Sequence, residues 1–319
     1  MNITTLANAT TWYGAWEQNF ILFLQSLGGE GSFIYYLFQF ITLFGEELLM
    51  IGILGTLYWG INKQRAEKIG FTLLFATVAN PMIKNVFARI RPFNCPETGI
   101  QNFKDVDGFA FPSGHSSNSA TIYLASAYEY REKKFKWLWA FAIIVPILVA
   151  LSRSYLGAHW PTDTLAGLAL GAICAFGIIT LLDKVKNRHL LYLIACAICT
   201  LGCIWCRTDD YFSAMGMLWG FVFGVIFEQK YVHFENTKVW WKIVLRVLGG
   251  VVVYLGLNTI IKLAFGWAID LDKLYAPQFA FRLVRYAIIL FVACGVYPMC
   301  FAPIDKWLDS LIAKRKQQN

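Results

Sequence analysis

The chain contains few charged residues and few histidines. Of its 319 residues only 15% are Asp, Glu, Lys or Arg, and four are His, whereas a soluble globular protein carries about 25% charged residues. Hydrophobic residues make up 57% of the chain and aromatic residues 17%, and the mean hydropathy is +0.51. This composition excludes a water-soluble enzyme and a disordered chain. The aromatic content is typical of a membrane protein with Trp and Tyr at the bilayer interfaces.

The sequence also lacks the features of a disulfide-stabilised domain. All of its eight cysteines except Cys95 lie within apolar runs, and Cys95 has no obvious partner in its polar loop. Cys196, Cys199, Cys203 and Cys206 have the spacing of a metal site, but no His or carboxylate lies beside them. Because cysteine is a common buried residue, we interpret these four as apolar filling of a helix rather than as metal ligands.

Long apolar runs, separated by short basic clusters, occupy most of the chain. We predict an all-α polytopic membrane protein with about nine transmembrane helices and an N-terminal interfacial helix. The nine predicted spans are roughly 31–60, 67–88, 114–130, 137–157, 163–182, 189–206, 211–228, 240–266 and 281–303.

The interfacial helix is predicted over residues 11–28, where apolar and polar residues fall on opposite sides at helical spacing. The apolar side carries Trp12, Trp16, Phe20, Phe23, Leu24 and Leu27, and the polar side carries Glu17, Gln18 and Gln25. Such a helix is expected to lie flat on the membrane surface.

The basic residues indicate the orientation of the chain. The first Lys or Arg is Lys63, so no basic segment precedes the first span and a cleaved signal peptide is not expected. The larger share of the 28 Lys and Arg residues falls in loops on one side of the membrane. By the positive-inside rule, the N-terminus lies outside and the C-terminus in the cytoplasm. The same rule accounts for the net charge of +8 without nucleic-acid binding.

Three separated segments, 84–92, 111–115 and 152–163, carry polar residues to the same predicted membrane side. The candidate site residues are Lys84, Arg91, Ser113, Gly114, His115, Arg153, His159 and Asp163. Taken singly, Lys84 could snorkel and Ser113 could be only a helix cap. Together, three cations and a helix N-terminus with a glycine form an anion site, and phosphate is the obvious anion.

These segments carry a three-part signature, KxxxxxxRP, PSGH and SRxxxxxHxxxD, in order and without a departure. The sequence therefore resembles the type 2 phosphatidic acid phosphatase (PAP2) superfamily, which also contains vanadium haloperoxidases and glucose-6-phosphatase. The nine-span layout is similar to that of glucose-6-phosphatase. The resemblance divides the chain into an N-terminal interfacial segment (1–30), a PAP2-like catalytic core (31–206), and additional transmembrane helices with a basic cytoplasmic tail (207–319).

The resemblance implies a role for each site residue. His159 would attack phosphorus to form a phosphohistidine, and Asp163 would hold its other ring nitrogen. His115 would protonate the leaving oxygen and then activate water. The phosphoryl oxygens would be bound by Lys84, Arg91, Arg153, Ser113 and the backbone N–H of Gly114. With charge stabilisation supplied by these groups, no metal or other cofactor is expected.

The resemblance implies a metal-independent phosphatase in the membrane. Because a site at the outer interface meets lipid headgroups, we expect a lipid substrate such as undecaprenyl diphosphate, phosphatidate, phosphatidylglycerophosphate or a sphingoid phosphate. The expected location is a bacterial plasma membrane, with the site on the extracytoplasmic face. Alternatives are a glucose-6-phosphatase-like enzyme for a soluble ester and, less favoured, a non-catalytic transporter or scaffold. The oligomeric state cannot be inferred from the sequence.

A few further residues have structural interpretations. Glu46 and Glu47 lie inside the first predicted span, where we favour pairing with a basic residue over a cavity-lining role. Arg89 is expected to contact the interface or the outer loop. Gly167 and Gly171 form a small-xxx-small pair that predicts close helix packing.

Overall fold

The computed structural model describes residues 10–266 and 275–318, which are predominantly helical. Within these residues the helices are α1 (Ala15–Ser26), α2 (Phe33–Thr42), α3 (Glu47–Gly55), α4 (Lys63–Phe87), α5 (Gly114–Glu129), α6 (Lys136–Tyr155), α7 (Pro161–Lys184), α8 (Arg188–Thr200), α9 (Asp209–Phe227), α10 (Trp240–Gly266), α11 (Tyr275–Phe291) and α12 (Phe301–Gln318). The all-helical class predicted from the sequence is confirmed for this part of the chain.

Six helical segments of the described chain are long and apolar enough to cross a membrane. They are Lys63–Phe87, Lys136–Tyr155, Pro161–Lys184, Asp209–Val232, Trp240–Phe265 and Gln278–Lys314. The bent pair Phe33–Gly45 and Glu47–Ile61 adds a seventh if it forms one span. The predicted count of nine is not confirmed, because α5 has only 16 residues and Arg188–Ile204 is also shorter than a full span.

The helices belong to two compact units. The first contains the described chain up to Ile51, Thr72–Val185 and Gly202–Cys206, and the second contains Gly52–Phe71, Lys186–Leu201 and the chain from Arg207 onward. In the first unit, α5 packs against α6 and α7. A Cβ on Gly167 would lie 2.5 Å from the carbonyl oxygen of Ser113, and one on Gly171 would lie 2.4 Å from that of Ser117. The close packing predicted for this glycine pair is confirmed.

The long connection between α4 and α5 packs on α1 through two apolar clusters. One contains Ile21, Cys95, Ile100, Ala110 and Trp160, and the other contains Leu24, Phe103, Tyr155 and Leu156. These clusters position the connection over the helix ends that carry the predicted site. The region is thus a packed part of the first unit rather than a solvated loop.

Helix α1 confirms the helix predicted over residues 11–28, but its polar side faces the protein. Glu17 and Gln25 are only 3% and 9% exposed, whereas Trp16 and Phe23 are exposed. Nε2 of Gln25 donates to the carbonyl oxygens of Gln101 and Tyr155. The polar residues of α1 therefore attach it to the connection. On the apolar side Trp16, Phe23 and Leu27 are exposed, whereas Leu24 packs on the connection.

In the second unit, α9 packs closely against α11. A Cβ on Gly216 would lie 2.2 Å from the carbonyl oxygen of Leu283, and one on Gly220 would lie 2.2 Å from that of Ala287. Small residues of this kind permit close backbone approach between membrane helices. The same unit contains an ion pair between Lys63 and Glu228, at 2.8 Å.

Candidate active site

His159 lies between α6 and α7, in a segment whose backbone conformation depends on a glycine. Gly157 has a φ of 73°, and a Cβ on it would lie 2.3 Å from the carbonyl oxygen of Gln101. Only glycine accommodates both the positive φ and this approach. The turn places His159, only 2% exposed, inside the first unit.

Both ring nitrogens of His159 have a neighbour. Nδ1 lies 2.9 Å from the carbonyl oxygen of Ala110, and Nε2 lies 3.1 Å from Nη1 of Arg91. Because a carbonyl oxygen only accepts and a guanidinium only donates, Nδ1 carries the proton and Nε2 presents its lone pair. This is the tautomer required for attack by Nε2.

The surroundings of His159 favour its neutral form. Burial lowers the pKa of His159 well below its usual range, and the positive charges of Arg91, Arg153 and Lys84 lower it further. Both effects disfavour the imidazolium. The imidazole is therefore unprotonated at Nε2 at physiological pH, as a nucleophile must be.

Asp163 does not hold the ring of His159 directly, which differs from the arrangement expected from the sequence. Its Oδ2 lies 3.7 Å from Nδ1 of His159 and accepts the backbone N–H of Trp160 at 2.7 Å. This bond satisfies an N–H at the start of α7. The carbonyl of Ala110 takes the predicted hydrogen-bonding position, and Asp163 remains an electrostatic neighbour of the ring.

Arg89 connects Asp163 to α1, and its carbonyl oxygen accepts the N–H of Ala110 in the predicted outer loop at 2.8 Å. Arg89 is fully buried, and Nη1 lies 2.5 Å from Oδ1 of Asp163 while Nη2 lies 3.0 Å from Oε2 of Glu17. Oε1 of Glu17 accepts the hydroxyl of Thr162 at 2.6 Å. Glu17 is thus a supporting residue that the sequence reasoning missed, since its place on a polar helix side predicted a solvent contact.

The second motif forms the N-terminus of α5. Ser113 is fully buried and caps the helix, with its Oγ accepting from Ser116, and its N–H donates to the carbonyl oxygen of Asp163 at 2.9 Å. Gly114 begins the helix, where a Cβ would make only ordinary contact with Asn80. The side chain of His115, in the first turn of α5, is 24% exposed. Its Nε2 lies 3.3 Å from Oε1 of Glu46.

Arg153 is a buried cation with unused donors. Its side chain is fully buried in the last turn of α6, and Nη1 donates to the hydroxyl of Thr42 at 3.2 Å. Its Nε and Nη2 have no hydrogen-bond partner among the described residues. Buried polar groups in proteins are almost always paired, so these two donors indicate a site for an anion.

Arg91, by contrast, is held rigidly by the backbone. Nε donates to the carbonyl oxygen of Gly108, Nη2 to that of Asp107 and Nη1 to that of Ala158. These bonds fix a guanidinium beside Nε2 of His159. Lys84 lies in the last turn of α4, half-buried, and contributes positive charge at the same ring.

The structure thus brings the three motifs together around His159. His159 contacts Arg91 directly, and the carbonyl oxygen of Asp163 accepts the N–H of Ser113. The positive charges of Arg153, Lys84 and His115 act on the imidazole of His159. Over residues 10–266 and 275–318 no group of three or more His, Cys, Asp or Glu residues is arranged to hold a metal ion. The imidazole lone pair of His159 can attack a phosphoryl group. The fixed cations around it can stabilise the negative charge of that group.

Comparisons with known proteins agree with this chemistry. A model described as PAP2 superfamily matches residues 66–188, and one described as PAP2 superfamily phosphatase, transmembrane extension, matches residues 212–306. An undecaprenyl-diphosphatase of Sulfolobus acidocaldarius is 35% identical over 149 residues, covering 44% of this chain and 66% of the relative. Phosphatidylglycerophosphatase B of Bacillus subtilis is 34% identical over 123 residues, covering 36% of this chain and 58% of the relative.

One solved structure is also similar to the chain. It is described as the first transmembrane PAP2 type phosphatidylglycerolphosphate phosphatase from Bacillus subtilis, with a TM-score of 0.47 and 24% identity. The match covers 54% of this chain and 87% of that one. The chain thus spans less than two thirds of the two sequence relatives named above. The predicted similarity to the layout of glucose-6-phosphatase is not confirmed.

Proposed function

The chain belongs to the PAP2 superfamily, and from this premise we propose that it is an integral membrane phosphatase that hydrolyses a lipid phosphate or diphosphate. The observation that carries the proposal is the pair of unpartnered donors on buried Arg153 in the site that holds neutral His159. An anion bound there would meet both a nucleophile and a ready source of charge stabilisation.

In the first step, Nε2 of His159 attacks phosphorus and the bond to the leaving oxygen breaks. The carbonyl of Ala110 accepts the Nδ1 proton and keeps the ring in the attacking tautomer. Positive charge develops on the imidazole, and the nearby carboxylate of Asp163 stabilises it at 3.7 Å. The product is a phosphohistidine on Nε2.

The surrounding donors act on the phosphoryl oxygens. Arg153 supplies Nε and Nη2, Arg91 supplies its rigidly held guanidinium, and Lys84 adds a flexible charge. Ser113 and the N-terminal N–H groups of α5 complete the anion site. Donors held in advance favour the transition state, where the oxygens carry most negative charge.

His115 completes the acid–base chemistry. It gives a proton to the leaving oxygen in the first step. In the second step it takes a proton from the water that attacks the phosphohistidine, which releases phosphate and restores His159. General acid–base help of this kind is typically worth about 10²–10⁴-fold in rate.

We propose a lipid rather than a soluble substrate because the site residues lie at the ends of membrane-length helices. Lys84 lies in the last turn of α4, Arg153 in the last turn of α6, and Asp163 in the first turn of α7. A site at that depth meets lipid headgroups directly. The two relatives named above are, by name, an undecaprenyl-diphosphatase and a phosphatidylglycerophosphatase, which supports the same class.

The proposal extends to membrane arrangement. We propose nine crossings with the N-terminus outside, which places the site on the extracytoplasmic face of a bacterial plasma membrane. The excess of Lys and Arg in the opposite loops supports this orientation. We retain the proposed division into an interfacial segment (1–30), a catalytic core (31–206) and a transmembrane extension (207–319), the last of which agrees with the second family match.

The test is phosphate release by the purified full chain in detergent from a panel of substrates. The panel contains undecaprenyl diphosphate, phosphatidate, phosphatidylglycerophosphate, a sphingoid phosphate and glucose 6-phosphate, each with and without EDTA. We expect release from at least one lipid, full activity in EDTA, and inhibition by vanadate, which mimics a five-coordinate phosphoryl group.

Three results would count against the proposal. Release from glucose 6-phosphate alone would replace the lipid with a soluble ester. Activity lost in EDTA and restored by magnesium would exclude the metal-independent mechanism. A chain that binds the lipids without releasing phosphate would indicate a transporter or scaffold.

A further inference from the structure

The helical pair formed by α2 and α3 is broken beside His115. After α2 the chain forms a short 3₁₀ turn, Leu43–Gly45, and Glu46 is extended with φ of −82° and ψ of 146°. The axis bends by 48° before α3. A break of this kind places a non-helical residue at membrane depth, which is tolerated when that residue faces protein.

The break is fixed to α5 on both sides of Gly45. The hydroxyl of Tyr123 donates to the carbonyl oxygen of Phe44 at 3.0 Å. A Cβ on Gly45 would lie 3.1 Å from Cβ and 3.2 Å from Cδ2 of His115. The imidazole of His115 therefore packs directly on this glycine, and the next residue, Glu46, is held beside it.

One carboxylate oxygen of Glu46 meets two potential cations. Oε1 lies 3.3 Å from Nε2 of His115 and 2.5 Å from Nζ of Lys104, which belongs to the connection between α4 and α5. The three side chains are 35%, 24% and 28% exposed in the order Glu46, His115 and Lys104. The Nε2 atom of His115 is itself buried and makes no hydrogen bond to the described residues, so its contact with the Glu46 carboxylate is one between ionisable groups rather than a formed hydrogen bond.

His115 works in a difficult electrostatic environment for an acid. The proposed mechanism requires His115 to carry a proton. The positive charges of nearby cations, above all Arg153, disfavour the protonated imidazole. A carboxylate within 4 Å stabilises a protonated imidazole by a direct charge interaction. Glu46 is the carboxylate that lies at that distance.

We infer that Glu46 is the positioning residue for His115: it orients the imidazole and stabilises its protonated form. The inference rests on the proposed function and adds a residue to its acid step. When Nε2 of His159 attacks phosphorus, the bond to the leaving oxygen breaks and that oxygen takes the proton of His115. Neutral His115 then recovers a proton from the attacking water, so the proton balance closes over one turnover.

Lys104 competes with His115 for the same oxygen. While Nζ of Lys104 lies 2.5 Å from Oε1, the carboxylate is partly neutralised by a cation outside the reaction. Removing that cation leaves Glu46 fully available to His115. The two substitutions, Glu46→Gln and Lys104→Met, are therefore expected to act in opposite directions on the acid step.

The experiment compares two leaving groups in the purified full chain. A lipid phosphate that the wild type hydrolyses has a poor, alkoxide leaving group that needs a proton, whereas p-nitrophenyl phosphate has a good one. We expect Glu46→Gln to lower kcat on the lipid at least about tenfold, within the range of general-acid catalysis. On p-nitrophenyl phosphate the decrease should be less than about threefold. Lys104→Met should keep or raise kcat on the lipid.

The neighbouring carboxylate offers a matched control. Glu47 is exposed in the first turn of α3, and Glu47→Gln removes the same charge one residue farther along the chain. Glu46→Asp should recover part of the lost activity. Equal losses of kcat on both substrates, or the same pattern in Glu47→Gln, would overturn the role of Glu46 but not the proposed function. A wild type that hydrolyses neither ester would overturn the proposed function itself.

Discussion

At the scale of single residues, the central question is which imidazole forms the covalent bond. Nε2 of His159 carries the unprotonated lone pair that faces Arg91, and His115 lies beside a carboxylate. We therefore expect His159→Ala to trap no labelled phosphate after a denaturing quench at alkaline pH, where a phosphohistidine survives. His115→Ala should still trap some with p-nitrophenyl phosphate, since an activated leaving group needs little protonation.

The control for this experiment is His189→Ala, because His189 pairs with Gln229 in the second unit and should leave trapping unchanged. Alkali stability of the label identifies phosphohistidine. Wild-type trapping by His159→Ala would contradict the assignment. Loss of trapping only in His115→Ala, even with the activated ester, would mean that the two histidines exchange roles.

A second residue-scale prediction concerns the buried pairing of Arg89 with Asp163 and Glu17. Removing one partner of a buried ion pair leaves an uncompensated charge and costs about 3–5 kcal/mol. We expect Arg89→Met to lower the thermal unfolding midpoint in detergent, measured by tryptophan fluorescence, and to lower activity as Asp163 shifts.

Arg131→Met is the matched control. Its pair with Asp183 spans 3.4 Å between half-exposed side chains, and such surface pairs contribute about 0–1 kcal/mol. The two variants should therefore differ clearly in unfolding midpoint. If both lower it equally, the buried pairing does not stabilise the site.

The residues of the anion site could be predicted from the sequence, whereas the residues that support them could not. The residues of the three motifs are spaced along helix ends, so local geometry already restricts where they lie. These residues are Lys84 and Arg91, Ser113 to His115, and Arg153 to Asp163. The carbonyl of Ala110 and the carboxylate of Glu17 join the site through tertiary packing. A backbone carbonyl has no residue signature, and Glu17 reads as a solvent-facing residue on an amphipathic helix.

At the scale of secondary-structure elements, the contact between α5 and α7 positions two of the three motifs. Gly167 and Gly171 let α7, with Asp163 in its first turn, lie against α5, which begins after Ser113. The N–H of Ser113 then reaches the carbonyl oxygen of Asp163 at 2.9 Å. The helix spacing thus sets the distance between the proposed acid and the proposed nucleophile.

We expect Gly171→Val to separate these helices and reduce both stability and activity. Its Cβ would lie 2.4 Å from the carbonyl oxygen of Ser117 and 2.6 Å from Cβ of Ala120, and backbone cannot yield as a flexible side chain does. Overpacking of a tight core typically costs about 1–3 kcal/mol. Thermal unfolding and phosphate release measure the two effects.

Gly177 is a control on the same helix. A Cβ there meets no atom within 4 Å, so Gly177→Val should leave activity near the wild-type level. A similar loss in both variants would show that the substitution acts through helix propensity or insertion into the membrane rather than through the contact with α5.

At the scale of the whole molecule, hydropathy predicts the helical membrane class but not the number of crossings. Helix α5 illustrates the reason, because Ser116, Ser117 and Ser119 are all fully buried within the first unit. A helix surrounded by protein need not be apolar to lie at membrane depth, so its sequence resembles that of a soluble helix. The hydropathy of a helix depends on how much of its surface faces lipid, and most of the surface of α5 faces protein.

The orientation of the membrane helices remains the prediction with the widest consequence, since it decides which pool of substrate the site meets. Asp105 lies on the connection beside the site, and Lys134 lies in the turn between α5 and α6, at the other end of α5; both are exposed. In a background without exposed Cys203 and Cys300, a membrane-impermeant maleimide should label Asp105→Cys in intact cells. Lys134→Cys should react only after the membrane is permeabilised. The reverse pattern would place the site in the cytoplasm, and equal labelling of both in intact cells would show that the reagent crosses the membrane.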